Sequence, residues 1–126
     1  RLCYSGVLKE LPDIKWLLGH AGGAVPWLME RLDTGFRDFA ECQENIDEMP
    51  STYLKKLYYD TVTFSPHNLG MLRNLVGTSH MAMGSDYPHL LGSIEKSVTS
   101  IEALHIPEPE KDMIFSGTAL SILDNL

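Results

Sequence analysis

Apolar and polar positions follow two rhythms along this chain. Compact apolar runs of strand length occur at "IKWLLGH" (14–20), "YYDTVTF" (58–64) and "HMAMGS" (80–85). Short runs of this kind, bounded by turn residues, predict buried strands. Between them, apolar residues recur at helical spacing. Leu2, Val7, Leu8 and Leu11 predict a short helix stopped by Pro12. Residues 21–42 open on glycines and place Pro26 near a helix start, where its missing N–H costs nothing. Trp27, Leu28, Leu32, Phe36 and Phe39 then repeat as a helix requires. An acidic connection, 43–50, leads to "STYLKKL" (51–57), one or two turns with Ser51 as the expected cap. Residues 65–77 predict a helix opened by Ser65-Pro66 and closed by Gly77, and 92–104 a further long one. After the proline-rich 105–110, residues 111–126 predict a last helix.

Strands that alternate with helices imply βα units and a parallel sheet, an α/β fold. Three strands leave two unpaired edges, and both faces of a parallel sheet need cover. The sheet is therefore expected to gain strands from elsewhere or to belong to a larger domain.

Composition narrows the function classes. The 126 residues suffice for one domain, and 44% apolar with 21% charged is a soluble globular mixture. A net charge of −7 argues against nucleic acid as a partner, since phosphates demand basic surface. No run approaches the ~18 apolar residues of a membrane span. The chain opens on Arg1, not an initiator Met, and shows no signal peptide, so targeting is unread. Cys3 and Cys42 are expected as free thiols of a reducing, cytoplasmic setting.

In parallel α/β sheets ligands gather at the carboxyl ends of the strands. That rule selects His20 after the first strand, Thr63 to His67 after the second, and Asp86, Tyr87 and His89 after the third. It places His80 and His105 toward the opposite face, as structural or solvated residues. An imidazole and a carboxylate can share a divalent metal or relay a proton through its bound water. The plainer alternative is that His20 bonds a backbone carbonyl and Asp86 caps its loop. His67 is expected to cap or to lie exposed. His89, three residues past Asp86, could orient it or touch a substrate. Asp60 lies inside a strand and needs a hydrogen-bond or arginine partner; Tyr58 and Tyr59 are expected to pack.

"PDIKWLLGHAGGAVPWLMERLD", "YLKKLYYDT" and "LVGTSHMAMGSDYPH" together resemble the amidohydrolase-related metal enzymes. The nearest branch is the 2-amino-3-carboxymuconate semialdehyde decarboxylase and resorcylate decarboxylase group. The pair Gly-His-x-Gly-Gly-x-x-Pro and Gly-Ser-Asp-Tyr-Pro carries most of the likeness; "FSGTALSIL" stands where the family often has Gly-Asn-Ala. The resemblance implies a (β/α)₈ barrel with a divalent metal at its top, zinc first and manganese second. The three strands here would be the sixth to eighth, so that residues 1–126 form a partial TIM barrel, its C-terminal half. It implies His20 as the proton-handling histidine after the sixth strand and Asp86 as a metal ligand and proton acceptor after the eighth. It also implies Arg31 as a grip on a substrate carboxylate across a dimer interface, and hence a homo-oligomer. The plainer place for Arg31 is an ion pair with Glu30 or Asp38.

Such barrels take about 250 residues, and a catalytic zinc takes about three protein ligands. The paired histidines (or Glu-x-His) of a first strand and the histidine of a fifth have no counterpart here. On this reading the chain derives from a hydrolase or decarboxylase of a small carboxylated substrate, and alone it binds metal weakly and is inactive. The alternative is a non-catalytic fragment or truncated paralogue stabilised by self-association. A flavodoxin-like binding domain fits less well, because no G-x-G-x-x-G loop opens a helix. The metal-enzyme reading requires the His20 imidazole and the Asp86 carboxylate to face one cavity from neighbouring parallel strands.

Overall fold

The three apolar runs form three strands that pair in parallel and in chain order, β1 (Leu17–Leu18), β2 (Tyr58–Asp60) and β3 (Met81–Ala82). Leu17 and Leu18 lie opposite Tyr58 and Tyr59; Tyr59 and Asp60 lie opposite Met81 and Ala82. A computed structural model describes residues 1–124, so the last two positions of the expected final helix lie outside the described residues. The expected α/β class is the observed one.

The strands are shorter than their apolar runs, for local reasons. β1 stops at Gly19, where the chain enters a left-handed turn over His20 and Ala21. β2 stops at Asp60, whose carboxylate folds forward to accept the Val62 amide at 3.0 Å. This is the aspartate turn that competes with a ladder. β3 loses its start to a single 3₁₀ turn over Thr78–His80.

Helices α1 (Val7–Glu10), α2 (Val25–Asp38), α3 (Pro50–Leu54), α4 (Pro66–Val76) and α5 (Ile94–Glu102) lie between and after the strands. The final helix runs from α6 (Glu108–Asp112) through a π-helical stretch, Met113–Gly117, into α7 (Thr118–Leu123). Ser65 caps α4 by accepting the Asn68 amide, and Gly77 closes it, as expected. Ser51 is no cap: Pro50 opens α3, and the buried Asp33 carboxylate on α2 accepts the Ser51 amide at 2.8 Å. A helix end can be satisfied from a neighbouring element as well as from its own sequence.

The α2 stripe also turns out differently. Pro26, Met29 and Asp33 face inward, whereas Trp27, Leu28 and Phe39 are exposed. Spacing finds a helix; which stripe is buried depends on what lies opposite. The core gathers Met29, Leu54, Leu57, Tyr59, Leu69, Leu72, Met81, Ile101 and Ile114 between sheet and helices. Arg73 on α4 grips Glu110 on α6 with two hydrogen bonds, 2.9 and 2.8 Å, tying the last helix down. The π stretch contributes a different tie, since the Ile114 carbonyl accepts the Met83 amide at 2.8 Å. No helix among the described residues is long and apolar enough to cross a membrane.

Tyr59 is the centre of this arrangement, 0% exposed, its hydroxyl donating to the Leu54 carbonyl at 2.7 Å. Burial pushes its phenol up to about 12. Tyr59→Phe is expected to cost about 1 kcal/mol for the lost hydrogen bond, and Tyr59→Ala about 3–5 kcal/mol, measured by urea unfolding. Both cysteines are free, and burial pushes the Cys3 thiol up to about 11. Alkylation of the native protein at pH 8 is therefore expected at Cys42 first, with Cys3 following on unfolding.

Candidate active site

Every non-glycine residue with positive φ among the described residues lies just past a strand: His20 (54°) and Ala21 (51°) after β1, Phe64 (53°) after β2, Asp86 (58°) after β3. The left-handed region costs an ordinary residue roughly 1–2 kcal/mol, and such strain persists only where surroundings impose it. Here it aims side chains. His20, Ala21, Gly22 and Gly23 are four successive left-handed residues. They turn the chain back so that Ala21 is buried while the His20 side chain stands 69% exposed at the rim.

Two contacts hold this turn. The Asp60 carboxylate accepts the Ala21 amide at 2.8 Å. A hydrogen bond to a charged acceptor contributes about 1.5–3 kcal/mol, the size needed to offset the strain. Beneath, Gly22 rides on the Tyr59 ring: an added Cβ would lie 2.7 Å from Tyr59 Cε1. The opposite rim is fixed as closely. Gly84 donates its amide to Thr61 Oγ1 at 3.2 Å, and its carbonyl accepts from Ser97 Oγ at 2.7 Å. Beyond it, the 85–93 loop closes on itself through Ser93 N–H to the Ser85 carbonyl, 2.9 Å, carrying Asp86.

The two rims meet. His20 Nε2 lies 3.7 Å from Asp86 Oδ1, and His89 Nδ1 lies 3.7 Å from Asp86 Oδ2. The strands that carry His20 and Asp86 are not neighbours, however; β2 runs between them, and the side chains converge over its end. Both contacts exceed hydrogen-bond length. The Leu91 amide donates to His89 Nδ1 at 3.3 Å, so the lone pair of that nitrogen is taken up by the backbone and it holds no proton to give the carboxylate. Asp86 Oδ1 and Oδ2 thus accept no hydrogen bond from the described residues. A partly buried carboxylate beside two imidazoles, with no backbone donor satisfying it, has the chemistry of a cation ligand. The fit is to part of a coordination shell: among the described residues no group of three or more His, Cys, Asp or Glu side chains could hold a metal ion.

The other candidates separate cleanly. Arg31 is exposed on α2 and its side chain makes no ion pair or hydrogen bond among the described residues. Of its two expected partners, Glu30 is taken by Arg37 at 2.7 Å and Asp38 forms no ion pair with it. No contact links Arg31 to His20, Asp86 or His89 within the chain. His67 is exposed and Ser65 does the capping. His80 contacts the Leu57 carbonyl at 3.0 Å and stacks on Tyr58, at the amino end of the sheet as expected. His105 is exposed past α5. A pit of about 50 Å³ beside His20 is lined by Thr63, Asn68, Met71 and the exposed Trp27. Helical spacing places Trp27 in an apolar stripe; its position just after His20-x-Gly-Gly is the local signal that it lies at the rim instead.

Three parallel strands in chain order, with helices between them and left-handed turns past their carboxyl ends, define an α/β segment of the kind parallel barrels are built from. A family profile described as amidohydrolase matches residues 1–124, and the chain belongs to the amidohydrolase family. It is 27% identical over 123 residues to the 2-amino-3-carboxymuconate-6-semialdehyde decarboxylase of Dictyostelium discoideum, covering 97% of this chain and 34% of that protein. It is 31% identical over 131 residues to the 6-methylsalicylic acid decarboxylase of Penicillium expansum, covering 99% and 39%. Among solved structures it superposes on 5-carboxyvanillate decarboxylase from Sphingomonas paucimobilis with a TM-score of 0.86 at 26% identity, covering 98% of this chain and 37% of that one. On the dihydroxybenzoic acid decarboxylase of Polaromonas sp. JS666, solved with manganese and 2-nitroresorcinol, the TM-score is 0.83 at 22% identity, covering 99% and 40%. The fold is thus a partial TIM barrel of the decarboxylase-type amidohydrolases, and the chain spans between a third and two-fifths of the length of these relatives.

Gly22→Ala is expected to destabilise the protein by about 2 kcal/mol or more, from left-handed strain together with the clash on Tyr59. The His20 ring resonances should shift in the same variant, with thermal melting and NMR as the measurements. An unchanged melting temperature would show that the turn does not depend on Gly22.

Proposed function

We propose that this chain forms part of a metal-dependent, non-oxidative decarboxylase of small carboxylated aromatic compounds. The observation that carries the reading is the approach of His20 Nε2 to within 3.7 Å of a carboxylate, Asp86, that no hydrogen bond claims. The four relatives quoted above are all decarboxylases, which supports decarboxylation over hydrolysis. Asp86 would be a ligand to a divalent ion, and manganese, present in the Polaromonas relative, is preferred to zinc on this reading. That ion would supply positive charge against the substrate's oxygens.

His20, at the open rim, would hand a proton to the ring carbon that bears the carboxylate. The carbon–carbon bond then breaks, carbon dioxide leaves, and its bonding electrons restore the ring. The left-handed turn serves this step by holding the imidazole at fixed reach, and the buried Ala21 keeps the backbone from swinging. His89 would contact substrate beside Asp86. Arg31, exposed and unpaired, would grip a substrate carboxylate in a second copy of the chain, which makes the working protein a homo-oligomer. The donors seen in residues 1–124 fall short of a full shell, so this chain alone would bind metal weakly and turn over nothing. Further ligands would come from outside these residues.

The test uses the full-length protein loaded with manganese and a panel of hydroxybenzoates, with carbon dioxide release as the readout. His20→Ala and Asp86→Ala are each expected to lower kcat/KM by about a hundredfold or more. Asp86→Ala should also lower bound manganese in elemental analysis. Arg31→Ala should raise KM about tenfold with a smaller change in kcat. Full metal content in the Asp86 variant, or full turnover in the His20 variant, would overturn the assignment.

A further inference from the structure

We propose that Asp60, which the reaction as outlined does not use, is a positioning residue that sets the distance between His20 and Asp86; this rests on the decarboxylase reading for its kinetic consequence only. Asp60 ends the middle strand, beneath the point where the two rims converge. Its Oδ1 accepts from the Ala21 amide at 2.8 Å and from the Val62 amide at 3.0 Å. The first bond reaches across to β1 and holds the residue after His20 in its left-handed conformation. The second is local and fixes the carboxylate itself. On the other side, Asp60 packs against β3's extension: a Cβ added at Gly84 would lie 3.1 Å from Asp60 Cβ. Gly84 is two residues before Asp86 and is already pinned by Thr61 and Ser97.

One side chain therefore touches both arms of the site. It bonds the arm that carries the imidazole and packs on the arm that carries the carboxylate. Strand β2, which separates β1 from β3, thereby becomes the spacer that gauges their ends. Oδ2 of Asp60 accepts no hydrogen bond from the described residues. The single oxygen Oδ1 does the holding, so a carboxamide oxygen in its place can do the same without the charge.

That difference supplies the experiment. Asp60→Asn keeps an acceptor for both amides. Asp60→Ser keeps only the local bond, because a serine hydroxyl can accept the amide two residues on but is one bond too short for Ala21. Asp60→Ala removes both. Hydrogen exchange at the Ala21 amide is measured in the full-length protein, together with kcat and KM for the substrate that serves the wild type and bound manganese. Asp60→Ser is expected to speed Ala21 exchange about tenfold or more and to lower kcat about tenfold, with KM within about threefold and metal content unchanged. Asp60→Asn is expected to restore both exchange and kcat to within about threefold of wild type.

If Asp60→Ala fails to fold, the Ser and Asn pair still decides the matter. Unchanged Ala21 exchange in Asp60→Ser would overturn the positioning role. So would a large loss of kcat in Asp60→Asn with Ala21 still protected, which would give the charge a direct part in the chemistry. The exchange measurement needs no turnover, so it separates failure of this inference from failure of the decarboxylase assignment.

Discussion

The hydrogen bond from the Ala21 amide to the Asp60 carboxylate is the contact on which the rest of the site depends. Two ordinary residues, His20 and Ala21, hold a backbone conformation that costs each of them free energy. A charged acceptor on the adjacent strand offsets that cost. Tyr59, one residue earlier on the same strand, works from the opposite face: it is buried in the core and supports Gly22 from below. Alternation along a strand makes this division of labour possible, since successive side chains point to opposite sides. Tyr59 fills the core and Asp60 bonds the turn, from neighbouring positions.

Membership of the amidohydrolase family gives this arrangement its meaning. Barrel enzymes place chemistry at the carboxyl ends of strands and leave packing to the other end. The chain obeys that division. The positive-φ side chains, the unclaimed carboxylate and the exposed imidazole gather at one edge. The His80–Tyr58 stack and the thiol of Cys3, turned into the core, lie with the packing. The chain spans between a third and two-fifths of the length of these relatives, and over that span the fold match is close.

The sequence made the class of fold legible, because three apolar runs separated by helical spacing admit few other arrangements. It marked Ser65 and Gly77 as ends of α4 through chemistry local to them. It did not mark the cap of α3, because Asp33 supplies it from 18 residues away in the chain, through tertiary packing alone. It overestimated each strand, because apolar character continues into residues that the turns remove from the ladder. His20 and Asp86 stood out as polar ends of apolar runs, but their separation could not be read, since it follows from the left-handed turn that Asp60 bonds and from the close packing of Gly84 on the strand between. Asp60 was visible only as a charge in need of a partner; that its partners are backbone amides follows from the turn, which no spacing rule anticipates.

The π-helical stretch of the last helix carries one more implication. By accepting the Met83 amide, the Ile114 carbonyl joins the outermost helix to the segment that delivers Asp86 three residues later. The C-terminal helix is thus a buttress and not a cover. A change that straightens or shears it would withdraw an acceptor from the segment leading to Asp86, and damage at the far side of the fold would surface there as a displaced carboxylate.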